Sequence, residues 1–171
     1  MLNKVMQNGI NDQVNLEFQS AYAYLALAAI CEQMNFRGSA KWMRLQAEEE
    51  KGHAMRLFEF LVQRNVPVVL KAIGAPNVKA KSLLDVFKVA LQHEEKVSAS
   101  INKLYEQAFK QKAFATTVEL NWFLTEQVEE EKTVRDIVAV LELVKNDPPT
   151  LLDIDKELGA RSAAGSKETA G

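Results

Sequence analysis

Glu50 and His53 stand three residues apart in the run Glu48-Glu49-Glu50-Lys51-Gly52-His53, on what reads as one long helix. That spacing puts a carboxylate and an imidazole on one face, one turn apart. Both can grip one metal ion, and a glutamate can bridge to a second. The pair alone is a weak signal, because Glu and His are ordinary helix-surface residues. Other helices must supply the remaining ligands.

Three more glutamates meet that demand. Glu17, Glu94 and Glu130 each interrupt an apolar helical stripe, as Glu50 does, near the midpoint of the helix. Midpoints coincide in height whichever way a helix runs, so the four side chains converge at the centre of a bundle. Unpaired, four buried carboxylates would be very costly; such groups are paired or they bind metal. No Lys or Arg stands on the inner stripes to neutralise them. Two divalent cations would balance the four charges, with His53 adding one nitrogen. Solvated faces with a shifted helical phase explain any one of these glutamates, but not four at matching height. Oxygen-rich ligation favours iron or manganese over copper, with zinc a plausible occupant in vitro. Two Fe(II) ions can each give an electron to bound dioxygen or peroxide. Delivering both together avoids the one-electron step that releases radicals.

Glu49, Glu126 and Glu129 lie just off the inner stripe. They read either as ordinary surface acids or as one face that holds a third metal. Tyr24, two turns from Glu17, can hydrogen-bond a ligand carboxylate, donate an electron, or simply pack. Trp122 is near Glu126 and Glu129 in helical phase and reads equally as packing. His93 adjoins Glu94 and points about 100° away from it, which places it on the surface. The five methionines form no single stripe, so no haem ligand pair emerges.

Four long helices must position these groups. The first runs from about Val5 to Met34, with a stripe of Ile10, Val14, Glu17, Ala21, Tyr24, Ala28 and Cys31 in steps of three and four. After a break at Asn35-Phe36-Arg37-Gly38, Ser39 is expected to cap a second helix reaching about Asn65. Val66 to Lys81 has no periodicity and holds Pro67, Gly74 and Pro76, so it reads as a connection. Ser82 caps the third helix, with Asp85 completing a capping box. No Gly or Pro marks the join to the fourth helix, near Gln111 to Thr116, and that helix ends near Asn146 to Pro149. Thr150 with Asp153 is expected to cap a short fifth helix closed by Gly159. Residues 160–171 are small and polar and read as a mobile tail outside a single domain spanning 1–159.

Each long helix has about 30 residues and so about 45 Å of length. The connection, about 16 residues, can reach about 50 Å, enough to run the length of a bundle. The other connections are short and force antiparallel neighbours. The expected fold is therefore all-α: a ferritin-like four-helix bundle, up, down, down, up, with one crossover and a short fifth helix.

Composition agrees, at 47% hydrophobic with 7 Gly and 4 Pro in 171 residues. A net charge of −2 with no basic run gives no field for nucleic acid. The apolar run Ala21 to Cys31 is too short for a membrane span, and the N-terminus turns polar too early for a signal peptide. A single cysteine favours a reduced, cytoplasmic setting.

Over about Leu2 to Leu158 the chain resembles the bacterial non-haem ferritins, through Glu17, Tyr24, Glu49-Glu50-x-x-His53, Glu94, Trp122 and Glu126-Gln127-x-Glu129-Glu130. The resemblance implies Glu17, Glu50 and His53 as ligands of a first ferroxidase iron. It implies Glu50, Glu94 and Glu130 for the second, with Glu50 bridging. Glu49, Glu126, Glu129 and Glu130 match the third iron site of prokaryotic ferritins, Gln127 a position beside the second iron, and Tyr24 a tyrosine that assists oxidation. It further implies a homo-oligomeric hollow shell of twenty-four subunits that oxidises Fe(II) with O2 or H2O2 and stores a ferric oxyhydroxide mineral. Gln127-x-x-Glu130 replaces the second Glu-x-x-His of bacterioferritins and rubrerythrins, and Lys51 stands where bacterioferritins place the haem-ligating Met, so no haem is expected. A substrate-oxidising di-iron enzyme and a non-catalytic metal-binding bundle are the other readings.

Overall fold

The computed structural model describes residues 2–145 and 147–162. Its elements are α1 (Lys4–Gln33), α2 (Arg37–Gln63), α3 (Leu83–Lys110), α4 (Phe114–Val144) and α5 (Pro148–Gly159). Among the described residues there is no strand, and no helix is long and apolar enough to cross a membrane.

Two apolar clusters fill the bundle, one toward each end. Met6, Ile10 and Val14 of α1 join Leu57, Phe60 and Leu61 of α2, Val97 to Leu104 of α3, and Leu120 and Phe123 of α4. At the other end Leu27 and Cys31 meet Trp42 and Met43, Val86 and Phe87, and Val134 and Leu141. Each helix enters one cluster and leaves by the other, which fixes the order up, down, down, up. Glu17, Glu50, Glu94 and Glu130 lie in sequence between the two halves of their own helices, so a polar belt divides the core.

The crossover does run the length of the bundle. Val66 and Val68 pack on the first cluster, Val78 and Ala80 on the second. Two asparagines one turn apart on α1 hold the extended backbone. Asn11 donates to the Pro67 carbonyl at 3.3 Å and accepts from the Val69 amide at 2.6 Å. Asn15 donates to the Val69 carbonyl at 2.9 Å and accepts from the Lys71 amide at 2.6 Å. Backbone groups laid against the bundle need such partners.

Several local expectations hold. Ser82 accepts from the Asp85 amide at 3.1 Å, and Asp85 accepts from the Lys81 amide at 3.0 Å. The join of α3 to α4 has no glycine because Lys112 itself takes φ 52°, the left-handed conformation that ends a helix. Two caps differ from expectation. Ser39 lies inside the first turn of α2, whose cap position, Phe36, offers no side-chain bond. Asp155 of α5 does that work instead, accepting from the Gly38 amide at 3.0 Å and from the Ser39 amide and hydroxyl at 2.7 Å. Likewise the cap of α5 is Asp147 rather than Thr150; it accepts from the Thr150 amide at 3.2 Å, with Pro148 opening the helix. Proline suits that first position because its missing amide would have been unpaired.

Docking of α5 also needs bare backbone. A Cβ on Gly38 would stand 1.7 Å from the Asp155 carbonyl oxygen. Leu151, Ile154 and Leu158 complete the contact by packing on the nearer cluster. Asp155→Ala should therefore lower stability by about 1–3 kcal/mol, through two unsatisfied α2 amides. Thermal unfolding checks this, and Asp155→Asn, which still accepts hydrogen bonds, should lose less.

Candidate metal centre

Glu17 and Glu50 reach the bundle axis from α1 and α2 and are fully buried; His53, one turn beyond Glu50, is 6% exposed. Glu17 accepts from the Gln13 amide at 2.7 Å through Oε1, while its Oε2 has no partner. Glu50 Oε1 takes the Gln46 amide at 3.4 Å, its carboxyl meets that of Glu17, and its Oε2 has no partner as an ionised group. His53 Nδ1 stands 3.8 Å from Glu50 Oε1 and is unpartnered. One ligand atom from each of these three residues lies within 4.8 Å of the others. Orphaned buried polar atoms are rare in folded chains. Three residues that each carry one, all of ligand type and with ligand atoms within 4.8 Å, fit a divalent cation.

Glu94 and Glu130 come from α3 and α4 and are also buried. Tyr24 donates its hydroxyl to Glu94 Oε1. Gln127 donates to Glu94 Oε2 at 3.2 Å and stands 3.3 Å from the Ser98 hydroxyl. Gln46 donates to Glu130 Oε2 at 2.7 Å, so one amide serves Glu130 and Glu50 together. A second group of close ligand atoms joins His53, Glu126 and Glu130. Glu94, Glu49 and Glu129 stand outside both groups. Glu126 is half-buried and Glu129 exposed; Glu49 is half-buried and paired to Arg161 at 2.6 Å.

Burial dominates the electrostatics. It pushes the Glu17 carboxyl up to about 7, and it pushes Glu130 up to about 8 with help from the Glu94 and Glu49 charges. Glu50 is raised well above the carboxylate range by burial and then by Glu94, Glu17 and Glu130. Glu94 is raised by burial against the pull of Tyr24 and Gln127. His53 is pushed down to about 4 by burial and by Arg56, so its imidazole is neutral with a free lone pair. In the metal-free chain burial thus favours the protonated form of each of these carboxyls. A cation would supply the missing counter-charge and release the protons.

Among the surrounding residues, Trp122 packs edge-on to the His53 ring at 5.4 Å, in the packing role expected. Tyr24 is 1% exposed and also meets Trp42 and His93 at 6.4 and 6.2 Å. His93 is not on the surface. It is half-buried between α3 and α1, with Nε2 2.9 Å from the Ser20 hydroxyl. The 100° turn from Glu94 takes it toward α1 rather than solvent. Sequence reasoning gave no role to Gln13 or Gln46, although Gln-x-x-x-Glu recurs at Gln13–Glu17 and Gln46–Glu50, the spacing at which one side chain meets the other. Arg161 carried no signal at all. Residues 163–171 of the expected tail lie outside the described residues.

The chain as a whole is similar to known proteins. The ferritin-like domain family matches residues 7–144. A bacterial non-heme ferritin of Staphylococcus haemolyticus is 40% identical over 95% of this chain and 98% of its own. The corresponding protein of Staphylococcus aureus is 36% identical over the same shares. Among solved structures, an open-pore ferritin of the archaeon Archaeoglobus fulgidus superposes with a TM-score of 0.93 at 39% identity, over 94% of this chain and 98% of that one. With four helices in ferritin order, a buried carboxylate belt and relatives matching almost end to end, the chain belongs to the ferritin family, beside the bacterial non-haem ferritins.

Proposed function

We propose that the chain is a ferroxidase as well as an iron store. Fe(II) is the substrate. Glu17, Glu50 and His53 take the first ion, and Glu50, Glu94 and Glu130 take the second, with Glu50 between them. Glu49, Glu126, Glu129 and Glu130 take a third, and Gln127 orients Glu94. Each of two Fe(II) loses one electron, and the pair reduces O2 with two protons to H2O2, or H2O2 to water. Fe(III) then moves to the cavity of a shell of twenty-four copies and hydrolyses to oxyhydroxide, releasing protons. Neutral His53 supplies a lone pair, the amides of Gln13 and Gln46 aim the carboxylates, and Tyr24 holds Glu94 and stands ready to donate an electron. The reaction is assigned to the cytoplasm and needs no haem.

The observation that carries this reading is that Glu17, Glu50 and His53 bring ligand atoms within 4.8 Å of one another while each keeps a buried polar atom without a partner. A structural ion pair would have supplied a cation from the chain, and a solvated face would have supplied water. The test is aerobic oxidation of Fe(II) by apo-protein, followed by ferric absorbance from two irons per subunit to large excess. A fast phase saturating at two or three irons per subunit, followed by soluble mineral growth in a particle of shell size, is expected. A fast phase with no soluble mineral beyond it would leave a di-iron enzyme or buffer and remove the storage claim.

A further inference from the structure

Arg161 lies two residues beyond the last residue of α5 and returns to the site. It donates through Nη2 to Glu49 Oε2 at 2.6 Å and through Nη1 to Gln46 Oε1 at 2.9 Å. Its guanidinium lies 4.8 Å from the centre of the Trp42 ring. The Arg161 and Glu49 side chains are only 25% and 27% exposed, so this is a seated pair rather than a loose surface contact.

Two consequences follow. Arginine only donates and keeps its charge, so it fixes the Gln46 amide with oxygen outward and nitrogen toward Glu130 and Glu50. It also holds one oxygen of the Glu49 carboxylate, Oε2. The close ligand group on this side is His53, Glu126 and Glu130, with Glu49 outside it on the guanidinium. With Oε2 bonded at 2.6 Å to Arg161, any cation that Glu49 binds on the α4 side faces the guanidinium charge and competes with it for one carboxylate.

We propose that Arg161 is a positioning residue that withholds Glu49 from the third metal: a tethered cation that the incoming one must displace. This rests on the reading of Glu49 as a ligand of that metal. Since coupling is reciprocal, the metal weakens the Arg161 contact by the factor by which Arg161 weakens the metal. The third ion is then the last to bind and the first to leave.

The test uses Zn(II), which is redox-inert, titrated by calorimetry into the assembled apo-protein. For the emission readout alone each protein also carries Trp122→Phe, leaving Trp42 as the one tryptophan of the chain, while the calorimetry keeps Trp122 against His53. The first two Zn(II) per subunit should still bind in the Arg161-containing protein, Arg161→Lys and Arg161→Ala, weakened only as far as the freed Gln46 amide loses its hold on Glu130 and Glu50. The third should bind about tenfold tighter in Arg161→Ala. Arg161→Lys should fall between, because an ammonium keeps the charge and loses the fork. In the Arg161-containing protein the third equivalent should also shift Trp42 emission as the guanidinium leaves the ring. In Arg161→Ala that step should be silent. Third-site affinity that is unchanged or weaker in Arg161→Ala, or Trp42 emission indifferent to the third equivalent while Arg161 is present, overturns the proposal and leaves the paired site standing. Loss of the first two equivalents in every protein would overturn the ferroxidase reading, and the role of Arg161 with it.

Discussion

Glu50→Ala should slow the fast phase of Fe(II) oxidation by about 100-fold or more. Removing a group that merely orients a ligand typically costs 10–100-fold in metal affinity or activity, and Glu50 stands closer than that. It shares the first group with Glu17 and His53, and through the Gln46 amide it is tied to Glu130. Its loss would empty one position at each of the two metals. Stability should move the other way. Glu50 is a buried carboxyl with an unpartnered oxygen among three like groups, each of which pushes its proton affinity up. Glu50→Gln keeps the volume and is neutral at every pH, so the apo-protein should melt no lower than wild type. Alanine adds a cavity and is the poorer variant for that comparison. Stopped-flow ferric absorbance and thermal melts of the apo-proteins read the two effects separately. Fast oxidation surviving in both variants would remove Glu50 from the centre.

The second large effect is a reversal of pH dependence by metal. Glu17 and Glu130, at about 7 and about 8 in the fold, keep protons that the unfolded chain has released from about pH 4.5 upward. The native state then binds more protons, so apo stability falls as pH rises through these values. His53 works with the opposite sign. Its folded value near 4 makes stability rise between about pH 4 and 6.5, where only the unfolded chain is protonated. Above about pH 6.5 the carboxyls act alone, and the loss by pH 8 or so is on the order of several kcal/mol per subunit. A bound divalent cation prefers ionised carboxylates, so the Zn(II) form should stabilise over the same interval and loading should release protons. Melting of apo and Zn(II)-loaded protein from pH 6 to 9, with calorimetry in buffers of different ionisation enthalpy, checks both. Apo stability that is flat between pH 6.5 and 8 would mean that the belt is ionised, or balanced, without metal.

What the sequence carried was whatever is written within a turn or two of chain. Apolar steps of three and four located four helices and placed Glu17, Glu50, Glu94 and Glu130 on their inner faces, because burial imposes that period directly. The Ser82 cap was legible for the same reason: donor and acceptor are three residues apart. Even the topology was legible, since the length of the crossover left one way to connect the helices.

What the tertiary structure alone decided joins residues far apart, which leave no period to read. Asp155 caps α2 from 116 residues away, Asn11 holds the crossover from 58, and Arg161 reaches Glu49 across 112. His93 was misplaced because helical phase states an angle from Glu94, not which neighbour fills that direction. The protonation of the belt belongs to the fold as well. An isolated helix would leave each glutamate solvated near its ordinary value, and only the meeting of four helices removes the water and leaves carboxyl oxygens without partners.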